Sequence, residues 1–187
     1  MVRDELKIIP SAPESERYCR DVEDTDGCYV VPAFTGLGAP YWNSSARGMI
    51  VGLTRGTNRS HLVRATVESL AYQTADVLTA MEKDSGLQIC NLKVDGGASA
   101  NDFLMKFQSD LLNTEVTRPA CVETTAMGAA FLAGLCTGFW KDKAELRENW
   151  SVGHVFEPTM TEEERERLLG GWHRAVAAAL AWADYRA

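Results

Sequence analysis

Basic charge is scarce in this chain. Lys and Arg number 19 against 26 Asp and Glu, a formal net charge of −7, which argues against general affinity for nucleic acid or an anionic membrane surface. No apolar run is long enough to cross a bilayer, and the opening MVRDELKII lacks the apolar stretch of a signal peptide. These absences predict no membrane span and a cytoplasmic setting. Cys19, Cys28, Cys90, Cys121 and Cys136 are odd in number and scattered without a CxxC pair. That pattern predicts free thiols in a reducing compartment and no metal site. His61, His154 and His173 also lack metal-ligand spacing. What is present suits a globular domain: 187 residues can bury a sizeable core, and 45% of them are hydrophobic.

The segment Val94-Asp95-Gly96-Gly97-Ala98-Ser99-Ala100-Asn101 carries the strongest functional signal. A short apolar run ends in an acid and two glycines, and an amphipathic stretch starts near Asn101. Paired glycines let a ligand approach the backbone closely. The exposed N–H groups of a new helix suit the charge and polar edges of a nucleotide. The bland alternative is a structural turn whose glycines only meet a positive-φ requirement.

Around that segment, strands and helices alternate. Tyr29–Phe34 and Gly48–Leu53 read as strands, with an antiparallel hairpin as one way to join them. Ser60 is placed to cap a long helix ending near Lys83, stopped by Gly86. Its expected inner face is Leu62, Val63, Thr66, Val67, Leu70, Thr74, Val77, Leu78 and Met81. Leu87–Val94 reads as a strand, Asn101–Asn113 as a helix, and Glu115–Arg118 as a strand stopped by Pro119. Thr124–Gly138 is apolar nearly all round and predicts a buried helix. Thr161 followed by Glu164 is a capping box for a last helix reaching about Tyr185. The order predicts an α/β layered domain, in which ligands bind beyond the carboxyl ends of strands. Val2–Ile9 reads as helix interior without a cap, which predicts a piece of something longer.

Other motifs favour structural readings. Thr35-Gly36-Leu37-Gly38 lacks the Lys-Ser/Thr of a phosphate loop and is expected to connect. Arg47 and Arg55 are expected to be surface or ion-pair residues. Gly128 and Gly134 are read as packing positions. Asp76, Asp84 and Asp110 show no visible partner in the sequence.

Several stretches together resemble one family. They are YVVPAFTGLGAPYW at 29–42, ARGMIVGLTRG at 46–56, RATVESLAYQT at 64–74, VDGGASAN at 94–101 and TAMGAAFLAGLCTGFW at 125–140. The chain resembles the C-terminal domain of the FGGY carbohydrate kinases. A signature of that family runs from Gly48 through Gly52-Leu53, across seven residues, to His61-Leu62 and Ala65-Thr66-Val67-Glu68. FTGLGAPYW resembles the glycerol kinases among them.

The resemblance implies an actin-like, ribonuclease H-like ATPase domain with a mixed sheet flanked by helices. It implies a first region, 1–27, made of a helix and a connection from a preceding domain, then a nucleotide-binding domain at 28–187. It implies ATP or ADP with Mg²⁺ as cofactors, and transfer of the γ-phosphoryl group to glycerol. Gly97 and Asn101 match the family's nucleotide contacts, with Gly96, Ala98 and Asp95 shaping the turn. The family's catalytic aspartate and glycerol contacts precede the segment matched here, so no catalytic residue is assigned. Glycerol is expected to bind only with that other domain, and a homo-oligomer is consistent with the family. The alternatives are half of another FGGY sugar or polyol kinase, or a non-catalytic actin-like binding module.

Overall fold

Residues 2–9 form turns rather than helix, and Ile9 is buried beside Tyr18 and Val63. The fold is that of a computed structural model that describes residues 1–148 and 151–184. Helix α1, Ser15–Arg20, follows. Strands β1, Tyr29–Val31, and β2, Met49–Val51, pair antiparallel with Tyr29 opposite Val51. Their β-branched and aromatic residues suit such a ribbon.

Helix α2, Arg59–Ser85, is capped by Asn58 and not by Ser60, because the Asn58 side chain accepts from the Ser60 and His61 amides. His61 closes the box by accepting from the Asn58 N–H. Gly86 ends the helix in the left-handed conformation, as expected of a glycine there. The buried face of α2 is rotated from the expected one. It consists of Val63, Ala65, Val67, Glu68, Ser69, Ala71, Tyr72, Ala75 and Asp76, while Leu70 and Met81 are exposed. Small residues on that face let neighbouring elements come close, so packing overrides the larger apolar stripe.

Strand β3 shortens to Asn91–Lys93. After the 3₁₀ turn Gly97–Ala100 comes α3, Asp102–Leu112, then β4, Glu115–Pro119. Helix α4, Thr124–Thr137, precedes α5, Lys143–Glu148, and β5, Val152–Phe156. Neither α5 nor β5 is announced by the sequence: each is short, and β5 carries Gly153 as its second residue. Helix α6, Glu162–Asp184, closes the described chain, and the expected end at Tyr185 lies outside the described residues. Thr161 accepts from the Glu164 N–H at 3.3 Å, but the Glu164 carboxylate turns to Arg167.

The three-stranded sheet has the order β3-β4-β5, parallel between β3 and β4 and antiparallel between β4 and β5. It is therefore mixed and flanked by helices. The core lies among α2, α3, α6 and β1. Trp172 stacks on Tyr72 with ring centroids 5.3 Å apart, and Phe107 meets Tyr72 edge-on at 5.5 Å.

The expectation that α4 is buried does not hold. Gly134 is its one buried residue, and Leu132 is 72% exposed. Phe139, just past the helix, is 75% exposed. Trp140 folds back over Gly134, where a Cβ would run into the indole. That contact explains the glycine as packing against the chain just beyond the helix.

Candidate functional site

The parallel β3–β4 pairing brings the chain to its turn. Past the end of β3, the Val94 N–H still donates to the Thr117 carbonyl at 3.0 Å. The backbone then reverses at Gly96, whose φ of 78° and ψ of 177° suit glycine. The Gly96 N–H donates to the Val122 carbonyl at 2.9 Å, and Thr124 Oγ1 donates to the Asp95 carboxylate. Both bonds tie the turn to the start of α4. The buried Ser99 donates to the Gly96 carbonyl through Oγ at 2.7 Å and through its N–H at 3.1 Å.

Asn101 caps α3 by accepting from the Leu104 N–H at 2.9 Å. Arg118 on β4 donates through one guanidinium nitrogen to the Ser99 carbonyl and to Asp102 Oδ1, each at 2.7 Å. The turn is thus fixed from the sheet side.

The opposite side of the turn is open. Gly97 and Ala98 are exposed, and among the described residues their N–H groups have no acceptor. A Cβ built on Gly97 would meet nothing within 4 Å. Two bare donors, free space and a helix start together suit an anionic, acceptor-rich ligand. Gly96, Gly97, Ala98 and Asn101 all lie in this one turn. Beside it, a groove of about 570 Å³ runs between α2 and the turn, lined by Leu70, Val77, Leu92, Val94, Ala98 and Met105.

The remaining polar clusters are internally satisfied. Asp76 accepts from Tyr41 Oη at 2.8 Å and Trp172 Nε1 at 2.7 Å, and meets His173 Nε2 at 3.1 Å. Asp110 accepts from the Thr159 and Met160 N–H groups and pairs with Lys106. Both acids therefore have partners that the sequence does not reveal. Glu68 is 3% exposed and accepts from Arg64 Nε at 2.8 Å. Burial pushes its carboxyl up to about 6, against the pull of Arg64. Arg64 also donates to the Cys19 and Val22 carbonyls, stapling the early chain to α2. Burial, reinforced by Glu68, pushes the Cys19 thiol up to about 12, so it stays protonated. Among the described residues no group of three His, Cys, Asp or Glu is placed to hold a metal ion.

Three contacts at the turn lie outside the family motif. Arg118 is an ordinary strand residue in the sequence. Ser15 bonds to the Asn101 side chain and Glu16 to the Asp102 N–H, each across 86 residues. No local pattern signals contacts between such distant residues.

A family model described as the FGGY family of carbohydrate kinases, C-terminal domain, matches residues 10–136. The chain is 62% identical to a glycerol kinase of Lachnoclostridium phytofermentans and 61% identical to one of Caldanaerobacter subterraneus subsp. tengcongensis. Each match covers 98% of this chain and 37% of the relative. The chain therefore spans little more than a third of the length of these curated relatives. A crystal structure of Plasmodium falciparum glycerol kinase with ADP is 34% identical, with a TM-score of 0.84, over 96% of this chain and 36% of that one. A ligand-bound xylulose kinase from Lactobacillus acidophilus, 21% identical over 96% of this chain and 37% of its own, has a TM-score of 0.77 and shares the fold.

Proposed function

The chain belongs to the FGGY family of carbohydrate kinases, and from that premise we propose that it is the nucleotide-binding part of a glycerol kinase. The mixed sheet flanked by helices is the actin-like ATPase arrangement of its structural neighbours. The observation that carries the proposal is the turn at Gly96–Asn101: two bare N–H groups over open space, next to a capped helix.

The residues present fit a nucleotide. The Gly97 and Ala98 N–H groups would hold phosphate oxygens, and Gly97 leaves the approach free of side-chain atoms. Asn101 would offer its amide to the base end. Bound ATP supplies the phosphoryl group that a glycerol hydroxyl would take, with Mg²⁺ neutralising the phosphates. This chain's part is to bind and orient. The acid–base and glycerol-holding groups are assigned to the other part of the longer relatives, so phosphorylation of glycerol is expected only when that part is present. A cytoplasmic setting and a homo-oligomer accord with this reading.

Glycerol is favoured over other polyols by the FTGLGAPYW segment and by the match to glycerol kinases at 56–62% identity. One observation favours a second reading, a binding module that docks on a partner: α4 leaves Leu132 exposed, with Phe139 exposed just beyond it. Mixing this chain with the separately made N-terminal part of the Lachnoclostridium relative tests both. Glycerol-dependent consumption of ATP by the mixture alone supports the kinase reading. A stable complex with no turnover favours the module.

A further inference from the structure

Helix α1 reaches the nucleotide turn from a distant part of the chain. Asn101 Nδ2 donates to Ser15 Oγ at 3.3 Å, and Ser15 Oγ donates to the Ala12 carbonyl at 2.6 Å. A hydroxyl has one proton, and here it is spent on Ala12, so Ser15 can only accept from Asn101. Asn101 Oδ1 is meanwhile held by the Leu104 N–H. Both ends of the amide are thereby assigned, and one Nδ2–H remains for a ligand. Asn101 presents a donor and reads an acceptor.

Glu16 acts on the other side of the same residue. Its Oε2 accepts from the Asp102 N–H at 3.2 Å, and its Oε1 pairs with Arg20 at 2.7 Å. The first backbone donor of α3 is therefore taken by a protein carboxylate, and a phosphate there would meet like charge. The Gly97 and Ala98 donors stay bare. The two ends of the turn thus differ in what they accept.

We propose that Ser15 and Glu16 are positioning residues that give the site its polarity. Ser15 aims the Asn101 Nδ2–H at the base end of a bound nucleotide. Glu16 keeps phosphates off the start of α3 and on the Gly97 and Ala98 amides. This inference rests on the nucleotide reading above.

The test titrates the full 187-residue chain with Mg-ADP and with inorganic pyrophosphate, which lacks a base. The variants are Ser15→Ala, Ser15→Thr, Glu16→Gln and Gly97→Val, each checked by thermal melting. Ser15→Ala is expected to weaken ADP binding about tenfold, the loss of one oriented hydrogen bond, and to leave pyrophosphate binding unchanged. Ser15→Thr restores ADP binding, because it keeps the hydroxyl. Glu16→Gln strengthens pyrophosphate binding several-fold without tightening ADP. Equal losses for both ligands in Ser15→Ala would indicate a merely structural role and overturn the inference, as would unchanged affinities in Ser15→Ala and Glu16→Gln while Gly97→Val still abolishes binding. A wild-type chain that binds neither ligand, or a Gly97→Val variant that binds as the wild type does, removes the nucleotide reading and this inference with it.

Discussion

Trp172 Nε1 donates to Asp76 Oδ2 at 2.7 Å, joining α6 to α2 across 96 residues of chain. Trp172 is fully buried, so its N–H has no access to water as an alternative. The same carboxylate oxygen accepts from Tyr41, which brings the loop after β1 into the knot.

Asp76→Ala should strand the Trp172 and Tyr41 donors. A buried donor left without a partner costs about 1–3 kcal/mol, so the variant should lose roughly 2–3 kcal/mol in urea unfolding. Asp76→Asn keeps an acceptor and should lose less. A loss under about 0.5 kcal/mol for the alanine variant would show that water replaces the carboxylate.

Glu68 should make stability depend on pH. Its folded value of about 6 lies above the ordinary 4.5. The folded chain therefore holds an extra proton between those values, and the destabilising contribution of this group grows as pH rises through that window. Relative to Glu68→Gln, the wild type should gain roughly 1.6 kcal/mol between about pH 7.5 and pH 4.5. Urea unfolding at both pH values reads this directly. A wild-type-minus-variant difference that is flat with pH would contradict it.

The five thiols should divide into two classes. Cys90, Cys121 and Cys136 are exposed, whereas Cys19 and Cys28 are buried and burial raises both of their pKa values. Iodoacetamide should label the first three quickly and the other two only in denaturant. Mass spectrometry of labelled peptides gives the count. Rapid labelling of Cys19 in the folded chain would contradict the packing of α1 on α2.

Helix α4 separates sequence expectation from structure most sharply. A buried leucine costs about 2–5 kcal/mol when cut to alanine. Leu132 is exposed, so Leu132→Ala should change stability by less than about 0.5 kcal/mol. A loss above about 2 kcal/mol in the isolated chain would mean that α4 packs inside.

Much of the fold is legible because its elements carry local marks. Gly86 stops α2, Asn101 starts α3 and Pro119 ends β4 where the pattern places those breaks. The candidate turn is legible for the same reason, since Gly96, Gly97 and Asn101 fall within six consecutive residues. What is not legible depends on contacts between distant residues. The inner face of α2 is chosen by close packing against Ala71 and Ala75, not by its largest apolar residues. The early strand Leu87–Val94 shrinks to the three residues that find a partner in β4. Asp76 looks solitary because its donors lie on other elements, and beyond its ion pair with Lys106 one turn earlier, Asp110 is held by the Thr159 and Met160 amides, which lie past β5. Ser15, Glu16 and Arg118 reach the turn only through the tertiary fold.

On the proposed function, the Gly96–Asn101 turn binds nucleotide phosphates. Calorimetric titration of the folded chain with Mg-ADP, beside Gly97→Val, decides it. The variant adds a side chain where a Cβ meets nothing and the backbone is unstrained, so its fold should persist. The wild type should bind saturably, and Gly97→Val should lose that binding at an unchanged melting temperature. Equal affinity in the two proteins, or a folded wild-type chain with no binding, would contradict it.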